Sequence, residues 1–190
     1  MGAPSVNLKS KSPSSPQLEL LISEEAIQQK ISEISEQLNT QYRGRELTII
    51  MIMKGSICLV ADLIRRLQVP FTLEFVQGSS YGSRGTTRGE LTVWGIDALA
   101  LESKDVLLID DIFDSGHTLQ EVAMQLKKKR PNTLRSLVLL SKGKQTVQGF
   151  APDYILFHIA DEFVVGYGLD YQEHYRGLPG VYVFKEEGSR

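Results

Sequence analysis

The residues best suited to chemistry stand in one stretch, VLLIDDIFDSGHTL, at positions 106–119. An apolar run ends in Asp110 and Asp111, and a third acid, Asp114, follows closely. Adjacent carboxylates can accept hydrogen bonds from vicinal sugar hydroxyls or hold Mg²⁺, directly or through water. A single carboxylate can also take or give a proton during a reaction. The stretch therefore predicts a polar ligand site at the end of a buried strand.

The turn that follows, Ser115-Gly116-His117-Thr118, is suited to an anion. It leads into a helical pattern, and N–H groups at a helix start are unpaired and carry the positive end of the dipole. Gly116 lets the backbone approach a ligand closely, and Ser115 and Thr118 add hydroxyl donors. A seat of this length without GxxxxGK[ST] favours a monophosphate over a nucleoside triphosphate. Together, the acids and the turn predict a site for a phosphorylated sugar with a metal nearby.

The elements around this stretch alternate between strand and helix, which predicts an α/β fold with a mostly parallel central sheet flanked by helices. Several apolar runs have the length of strands that are covered on both faces. The predicted strands are 47–53, 71–76, 91–94, 106–109, 134–140, 154–159 and 181–184. Helices are predicted over 23–38, after a Ser56 cap, and from Leu119 to the basic run 127–130, where cations complement a helix C-terminus.

Ligands of such sheets bind at the carboxyl ends of the strands. Lys54, the acid pair and Lys142 all fall at predicted strand ends. Residues 77–90, with four glycines and no apolar run, form a connection longer than usual. This segment is therefore predicted to be a functional hairpin arm between two strands.

Composition limits the classes of function. A chain of 190 residues suits one domain, with residues 1–17 as a disordered tail and 18–190 as the domain. The net charge of −2 argues against nucleic-acid binding, and no run approaches the roughly 18 apolar residues of a membrane span. The single cysteine, Cys58, lies in an apolar stretch and is interpreted as core packing. A reducing, cytoplasmic setting is expected.

The acid pair, taken alone, also fits two other interpretations. A solvated turn with a helix cap is one. A receiver domain is the other, but its paired acids would stand in the first strand, whereas Asp110 and Asp111 lie far along this chain.

The whole string resembles the phosphoribosyl-pyrophosphate motif of type I phosphoribosyltransferases. Further stretches resemble the hypoxanthine-guanine phosphoribosyltransferases in particular, and the resemblance covers residues 20–184. These stretches are ISEEAIQQKISEI, MKGS at 53–56, SSYGSR at 79–84 and EFVVGYGLDYQEHYR at 162–176. The resemblance implies the type I fold with a small hood built from the N- and C-terminal segments, and a flexible lid. It also implies purine salvage: phosphoribosyl transfer from phosphoribosyl pyrophosphate to a 6-oxopurine, with Mg²⁺ as cofactor.

The resemblance also implies roles for individual residues. Asp114 matches the proposed general base near purine N7, and Asp110 and Asp111 match the acids near the ribose hydroxyls and Mg²⁺. The remaining matched residues are grouped by the ligand part or the segment to which they correspond. They are Ser115, Gly116, His117 and Thr118 for the 5′-phosphate; Lys54, Gly55 and Arg176 for pyrophosphate; Ser80 and Tyr81 for the lid; Lys142, Phe163 and Val164 for the purine; and Asp170 for a second metal position.

The chain departs from the family pattern at two places. His117 stands where Arg or Lys is more usual, and the sequence around Lys142 is looser, so Lys144 competes for the purine role. Base preference between hypoxanthine, guanine and xanthine stays open, as does a non-enzymatic alternative, an RNA-binding regulator on the same fold. A homodimer or homotetramer is expected from the family. The peptide before Lys54 is often cis in the family, which the sequence does not decide.

Overall fold

The helices and strands follow one another in the alternating order that the sequence predicts. The protein is represented by a computed structural model that describes residues 17–80, 91–143 and 150–185, with 79–80 and 91–92 as backbone only. The three helices are α1 (Glu24–Gln41), α2 (Ile57–Ile64) and α3 (His117–Lys127). The strands are β1 (Gln17–Ile22), β2 (Leu47–Met53), β3 (Phe71–Ser80), β4 (Leu91–Trp94), β5 (Asp105–Phe113), β6 (Thr133–Lys142), β7 (Tyr154–Ile159), β8 (Val164–Val165) and β9 (Val181–Lys185).

Six strands form the central sheet in the order β4-β3-β2-β5-β6-β7. Neighbouring strands from β3 to β7 run parallel, and only β4 pairs antiparallel, with β3. The predicted mostly parallel α/β fold is therefore confirmed. The antiparallel pair, which joins Gln77 to Trp94 and Ser80 to Leu91, shows that the ends of the predicted arm pair as in a hairpin, whereas residues 81–90 lie outside the described part of the chain.

Both faces of this sheet are covered, which explains why its strands are continuously apolar. On one face, Ile49, Leu107 and Leu137 belong to a core that includes buried residues of α1 and α2. On the other face, Ile50, Leu108 and Val138 pack with the buried face of α3. The acid pair follows directly on this doubly buried stretch of β5, so the core fixes its backbone.

Three strands, β3, β5 and β6, extend at least two residues beyond their predicted carboxyl ends, and each extension carries a candidate site residue, which in β3 is Ser80. The apolar run of β5 ends at Ile109, but the strand continues to Phe113 because its residues pair with β6 as far as Ser141. Asp110 and Asp111 thus lie within the strand, near its carboxyl end, and do not follow it. Lys142 is likewise the last residue of β6. The predicted strand ends at Ile109 and Leu140 were too early, because backbone pairing continues after the apolar side chains end, but the prediction that these polar residues fall at the carboxyl ends of strands is confirmed.

A second, antiparallel sheet of three strands has the order β1-β9-β8. It joins the first described strand to the last, with Leu18 opposite Phe184. Of its members only β9 is predicted from the sequence. The role of these segments as a hood stays a prediction. The predicted tail 1–17 lies outside the described residues except for Gln17, the first residue of β1.

The sequence predicts serine N-caps for α1 and α2, and only the first of them is present. The Ser23 hydroxyl accepts a hydrogen bond from the Ala26 N–H at 3.3 Å, so this cap of α1 is confirmed. The Ser56 side chain does not cap α2, because its hydroxyl donates instead to the Ile52 carbonyl at 2.6 Å.

The peptide between Met53 and Lys54 is cis. Over the described part of the chain, none of the helices combines the length and apolar composition that a membrane crossing needs.

Candidate active site

A cleft of about 410 Å³ lies at the carboxyl ends of β2 and β5. It brings together residues that the sequence spreads over three regions of the chain. The predicted site residues that line it are Lys54, Gly55, Asp110, Asp111, Asp114, Ser115, Gly116, Thr118, Asp170 and Arg176. The cleft lining is thus mainly polar, with several carboxylates and a cationic edge formed by Lys54 and Arg176.

The two central carboxylates are held by the backbone of their own strand. The Asp111 N–H donates to Asp110 Oδ1 at 3.0 Å, and the Ile112 N–H donates to Asp111 Oδ1 at 2.7 Å. The side chain of Asp110 is only 7% exposed. Burial and the adjacent Asp111 carboxylate raise the pKa of Asp110 well above its usual range, and burial raises the pKa of Asp111 as well. A cationic or hydroxyl-bearing ligand would relieve the repulsion between these two groups.

This arrangement gives a stability prediction for the protein without metal. Because the folded-state pKa of Asp110 is raised, the folded form binds more protons than the unfolded form above pH 3.8, so the free energy of unfolding falls as the pH rises through the folded-state pKa. Asp110→Asn removes this charge but keeps an oxygen for the Asp111 N–H. We expect its melting temperature in EDTA to exceed that of the wild type by about 2–4 °C at pH 7.5, the effect of roughly 1 kcal/mol in a domain of this size.

The same gain should shrink as the pH is lowered toward 4, because both proteins then have a neutral group at position 110. Thermal melts at several pH values check this. A difference in melting temperature that is independent of pH would contradict the assignment of a buried charge to Asp110.

Gly55 allows the approach of the β2 end to the acid pair. A Cβ atom at this position would lie 1.5 Å from Asp111 Oδ2 and 2.5 Å from Asp111 Cγ. Gly168 in turn lies against Gly55, because a Cβ there would be 2.0 Å from the Gly55 carbonyl oxygen. The backbone at Gly55 is therefore packed between the Asp111 side chain and the backbone at Gly168, with no space for a side chain at either glycine.

The turn after β5 has the geometry of an anion seat. Gly116 has a φ of 82° and stands at the start of α3, which has no side-chain cap. The Gln120 N–H donates to the Gly116 carbonyl at 3.0 Å, and the N–H groups that precede it in the first turn have no intrahelical acceptor. Ser115 and Thr118 line the cleft beside them. His117 is exposed and does not line the cleft, so only its backbone is placed for this role.

The two cations at the edge of the cleft, Lys54 and Arg176, form ion pairs with carboxylates of the same chain. Lys54 Nζ lies 3.1 Å from both carboxylate oxygens of Glu173. Arg176 Nη2 lies 2.8 Å from Asp170 Oδ1 and 3.2 Å from Glu173 Oε2, and the Glu173 N–H donates to Asp170 Oδ2 at 2.8 Å. Glu173 is absent from the sequence-based predictions. Its position three residues before Arg176 was the only available signal, and its contact with Lys54 depends on the fold.

The predicted purine residues lie beside this cleft and not in its lining. Ser141 pairs with Phe113, the last residue of β5, so Lys142 and Asp114 are the residues that directly follow this pair. Lys142 Nζ is 3.8 Å from Asp161 Oδ1. Phe163 is 51% exposed, and its ring makes edge contacts with Tyr171 and Phe184. Val164 next to it is buried.

Parts of the predicted site fall outside the described residues. Tyr81 of the predicted lid and Lys144, the alternative to Lys142, are among them. The other lid residue, Ser80, ends β3 opposite Leu91 and is described as backbone only. Both the lid and the choice between the two lysines therefore stay predictions.

The donor set can be tested for a metal ion. Within residues 17–80, 91–143 and 150–185, no three His, Cys, Asp or Glu side chains form a group that could hold one. Mg²⁺, however, is usually bound by one or two carboxylates together with waters and substrate oxygens. Asp110 and Asp111 offer such a pair, and Asp170 adds a further carboxylate to the lining of the cleft. The residues thus fit an Mg²⁺ ion that is held jointly with a phosphorylated substrate.

Comparison with known proteins gives consistent matches over most of the chain. The family model described as phosphoribosyl transferase domain matches residues 19–172. The hypoxanthine-guanine phosphoribosyltransferase of Staphylococcus aureus strain Mu50 is 37% identical over 169 residues, which is 89% of this chain and 94% of that protein. The bifunctional protein TilS/HprT of Listeria monocytogenes strain F2365 is 36% identical over 168 residues, which is 88% of this chain. The chain spans only 26% of the length of this bifunctional relative.

Solved structures agree with these sequence matches. A hypoxanthine-guanine phosphoribosyltransferase from Bacillus anthracis aligns with a TM-score of 0.82 and 34% identity, covering 89% of this chain and 99% of that one. The hypoxanthine phosphoribosyltransferase of Trypanosoma cruzi in complex with IMP aligns with a TM-score of 0.82 and 32% identity, covering 95% of this chain and all of that one.

Proposed function

The chain belongs to the phosphoribosyl transferase family, among relatives that are hypoxanthine-guanine phosphoribosyltransferases, and from this premise we propose that it transfers the 5-phosphoribosyl group of phosphoribosyl pyrophosphate to hypoxanthine or guanine. The products are IMP or GMP and pyrophosphate, which makes the reaction one of purine salvage. The observation that carries the proposal is the cleft itself. Its lining combines a carboxylate pair, the turn at the start of α3 and two cationic side chains, which supports this assignment.

The phosphoribosyl part of the substrate fits the end of β5. The 5′-phosphate binds the first turn of α3 through N–H groups and the hydroxyls of Ser115 and Thr118. The ribose hydroxyls donate hydrogen bonds to Asp110 and Asp111, whose crowding favours a ligand that supplies donors. Gly116 has the φ of 82° that L side chains rarely adopt, and a Cβ there would lie 2.7 Å from the Phe113 ring.

The pyrophosphate group fits the cationic edge, where Lys54 and Arg176 compensate its charge and Gly55 leaves the backbone accessible. Mg²⁺, held between the substrate and carboxylates from Asp110, Asp111 and Asp170, would neutralise charge on the leaving group when bound. A homodimer or homotetramer and a cytoplasmic location are part of this proposal and rest on the family resemblance.

The purine is placed on the other side of Asp114. Phe163 offers an exposed ring face for stacking, Val164 a backbone contact, and Lys142 a donor for the 6-oxo oxygen. The bond between the anomeric carbon and the pyrophosphate oxygen breaks, and its electron pair leaves with pyrophosphate. A purine nitrogen forms the new bond to the anomeric carbon, and Asp114 takes the proton that the purine loses.

Nucleotide formation from phosphoribosyl pyrophosphate and Mg²⁺ tests the proposal, with hypoxanthine, guanine, xanthine and adenine offered separately. Product with hypoxanthine or guanine and none with adenine is expected. If phosphoribosyl pyrophosphate binds but none of the four bases gives product, the purine assignment is contradicted. The fold assignment is unaffected by that result. A preference for xanthine would correct the base alone.

Lys142→Ala tests the recognition of the 6-oxo group. We expect kcat/KM for hypoxanthine to fall about 10- to 100-fold, because hydrogen bonds to charged groups contribute roughly 1.5–3 kcal/mol. Parallel kinetics of Lys144→Ala provide the control, with little change expected. If Lys144→Ala loses activity and Lys142→Ala keeps it, the purine contact belongs to Lys144.

A further inference from the structure

The segment that carries Asp170 and Arg176 begins with an unusual backbone. Three consecutive residues, Gly166, Tyr167 and Gly168, have φ values of 97°, 50° and 100°. Glycine adopts such values without cost, but tyrosine in the left-handed region is strained. Such a conformation persists only when its surroundings hold it in place.

The side chain of Tyr167 holds this backbone conformation in place through contacts outside the cleft lining. It is 5% exposed, and its hydroxyl donates to Asp62 Oδ2 at 2.6 Å. Asp62 lies on α2, and it also accepts a hydrogen bond from Gln28 Nε2 of α1 at 2.6 Å and pairs with Arg65. The tyrosine is therefore tied to two helices of the main core.

The charge state of this anchor favours a strong bond. Burial alone would raise the pKa of Asp62, but the hydrogen bonds from Tyr167, Gln28 and Arg65 outweigh burial and hold it below its usual value. Burial and Asp62 together raise the pKa of Tyr167, so its hydroxyl stays a donor. The result is a charge-assisted hydrogen bond, a class roughly twice as strong as neutral ones.

The anchored segment acts directly on the cationic edge of the cleft. The Gly168 N–H donates to the Arg176 carbonyl at 2.9 Å, and Arg176 Nη1 donates to the Gly168 carbonyl at 2.7 Å. Gly168 also lies against Gly55, where a Cβ would be 2.0 Å from the Gly55 carbonyl oxygen. Displacement of Tyr167 would thus move the guanidinium and the Gly55 backbone together.

We infer that Tyr167 and Asp62 form a positioning pair, which holds Arg176 and Gly55 in the geometry that binds the pyrophosphate group. The inference rests on the proposed function and extends it to two residues that do not line the cleft. The pair acts through Gly168 and not by contact with substrate. The anion seat of α3 does not depend on it.

Tyr167→Phe tests this role, because it removes one hydroxyl and keeps the ring. Calorimetric titrations with inorganic pyrophosphate plus Mg²⁺, and separately with IMP, measure the two halves of the cleft. We expect pyrophosphate affinity to fall about 10-fold, the lower end of what outer-layer partners of a binding site contribute, and IMP affinity to change less than about twofold. In an Arg176→Ala background, Tyr167→Phe should lower pyrophosphate affinity by clearly less than in the wild type, because only the part of its effect that runs through Gly55 remains.

Tyr154→Phe is the matched control. It also removes a tyrosine hydroxyl bond, to Gln41 Oε1 at 2.5 Å, but on β7, the edge strand of the central sheet. It should leave both affinities unchanged. Unaltered pyrophosphate binding by Tyr167→Phe, or equal weakening of both ligands, would overturn the positioning role while the proposed function stands. A wild-type protein that binds neither ligand would instead remove the proposed function, and the inference with it.

Discussion

Replacing Asp114 with asparagine is expected to lower kcat for IMP formation by about 10²- to 10⁴-fold, the contribution of a positioned general acid or base. The amide has the size of the carboxylate but does not take up a proton at neutral pH. Phosphoribosyl-pyrophosphate binding should survive, because the acid pair and the α3 seat are unchanged. Steady-state kinetics, together with a direct titration of phosphoribosyl pyrophosphate, separate the two effects.

Asp97→Asn serves as the control for this change, since Asp97 is exposed and does not line the cleft. It should retain wild-type turnover. Full turnover in Asp114→Asn would remove Asp114 from the mechanism. Loss of phosphoribosyl-pyrophosphate binding in the same variant would assign the residue to binding instead of proton transfer.

A methyl group at Gly55 is expected to lower kcat/KM for phosphoribosyl pyrophosphate by more than about 100-fold. In Gly55→Ala the new Cβ would overlap Asp111 Oδ2, 1.5 Å away, so either the carboxylate or the end of β2 must move. The carboxylate is restrained by the Ile112 N–H at 2.7 Å. Displacements near 1 Å can cost roughly 10²-fold in rate when they alter the geometry of bound reactants.

Gly177→Ala is the matched control for Gly55→Ala. A Cβ at Gly177 would meet no atom within 4 Å, although the residue is adjacent to Arg176. Kinetics and thermal melts of both variants should show a loss confined to Gly55→Ala. Wild-type kcat/KM in Gly55→Ala would mean that the contact with Asp111 relaxes without consequence for the site.

The parts of the fold that the sequence predicts are those with local causes. Strands β2, β5 and β6 are buried on both faces, so their apolar runs stand out. Strand β1 is mostly exposed and pairs with β9 at the other end of the chain, and β8 has only two residues. Long-range pairing leaves no local periodicity, which is why both were missed.

The site divides in the same way. The acids and the anion turn were predicted because they are consecutive along the chain, between Asp110 and Thr118. The cationic edge joins Lys54 to Glu173, 119 positions apart, and the sequence holds no sign of that contact. The same holds for the Tyr167–Asp62 bond, whose partners are 105 positions apart.

Glu173 gives the cationic edge a resident counter-ion. Its exposed carboxylate lies between Lys54 and Arg176, the two groups assigned to pyrophosphate. Under the proposed function, an arriving pyrophosphate would exchange with this internal carboxylate and would not meet uncompensated charges. Such an exchange releases fewer counter-ions into solution than binding to two uncompensated cations would. The affinity for pyrophosphate therefore depends less strongly on salt concentration. It also works in reverse, because the returning carboxylate lowers the cost of separating the product from its cations.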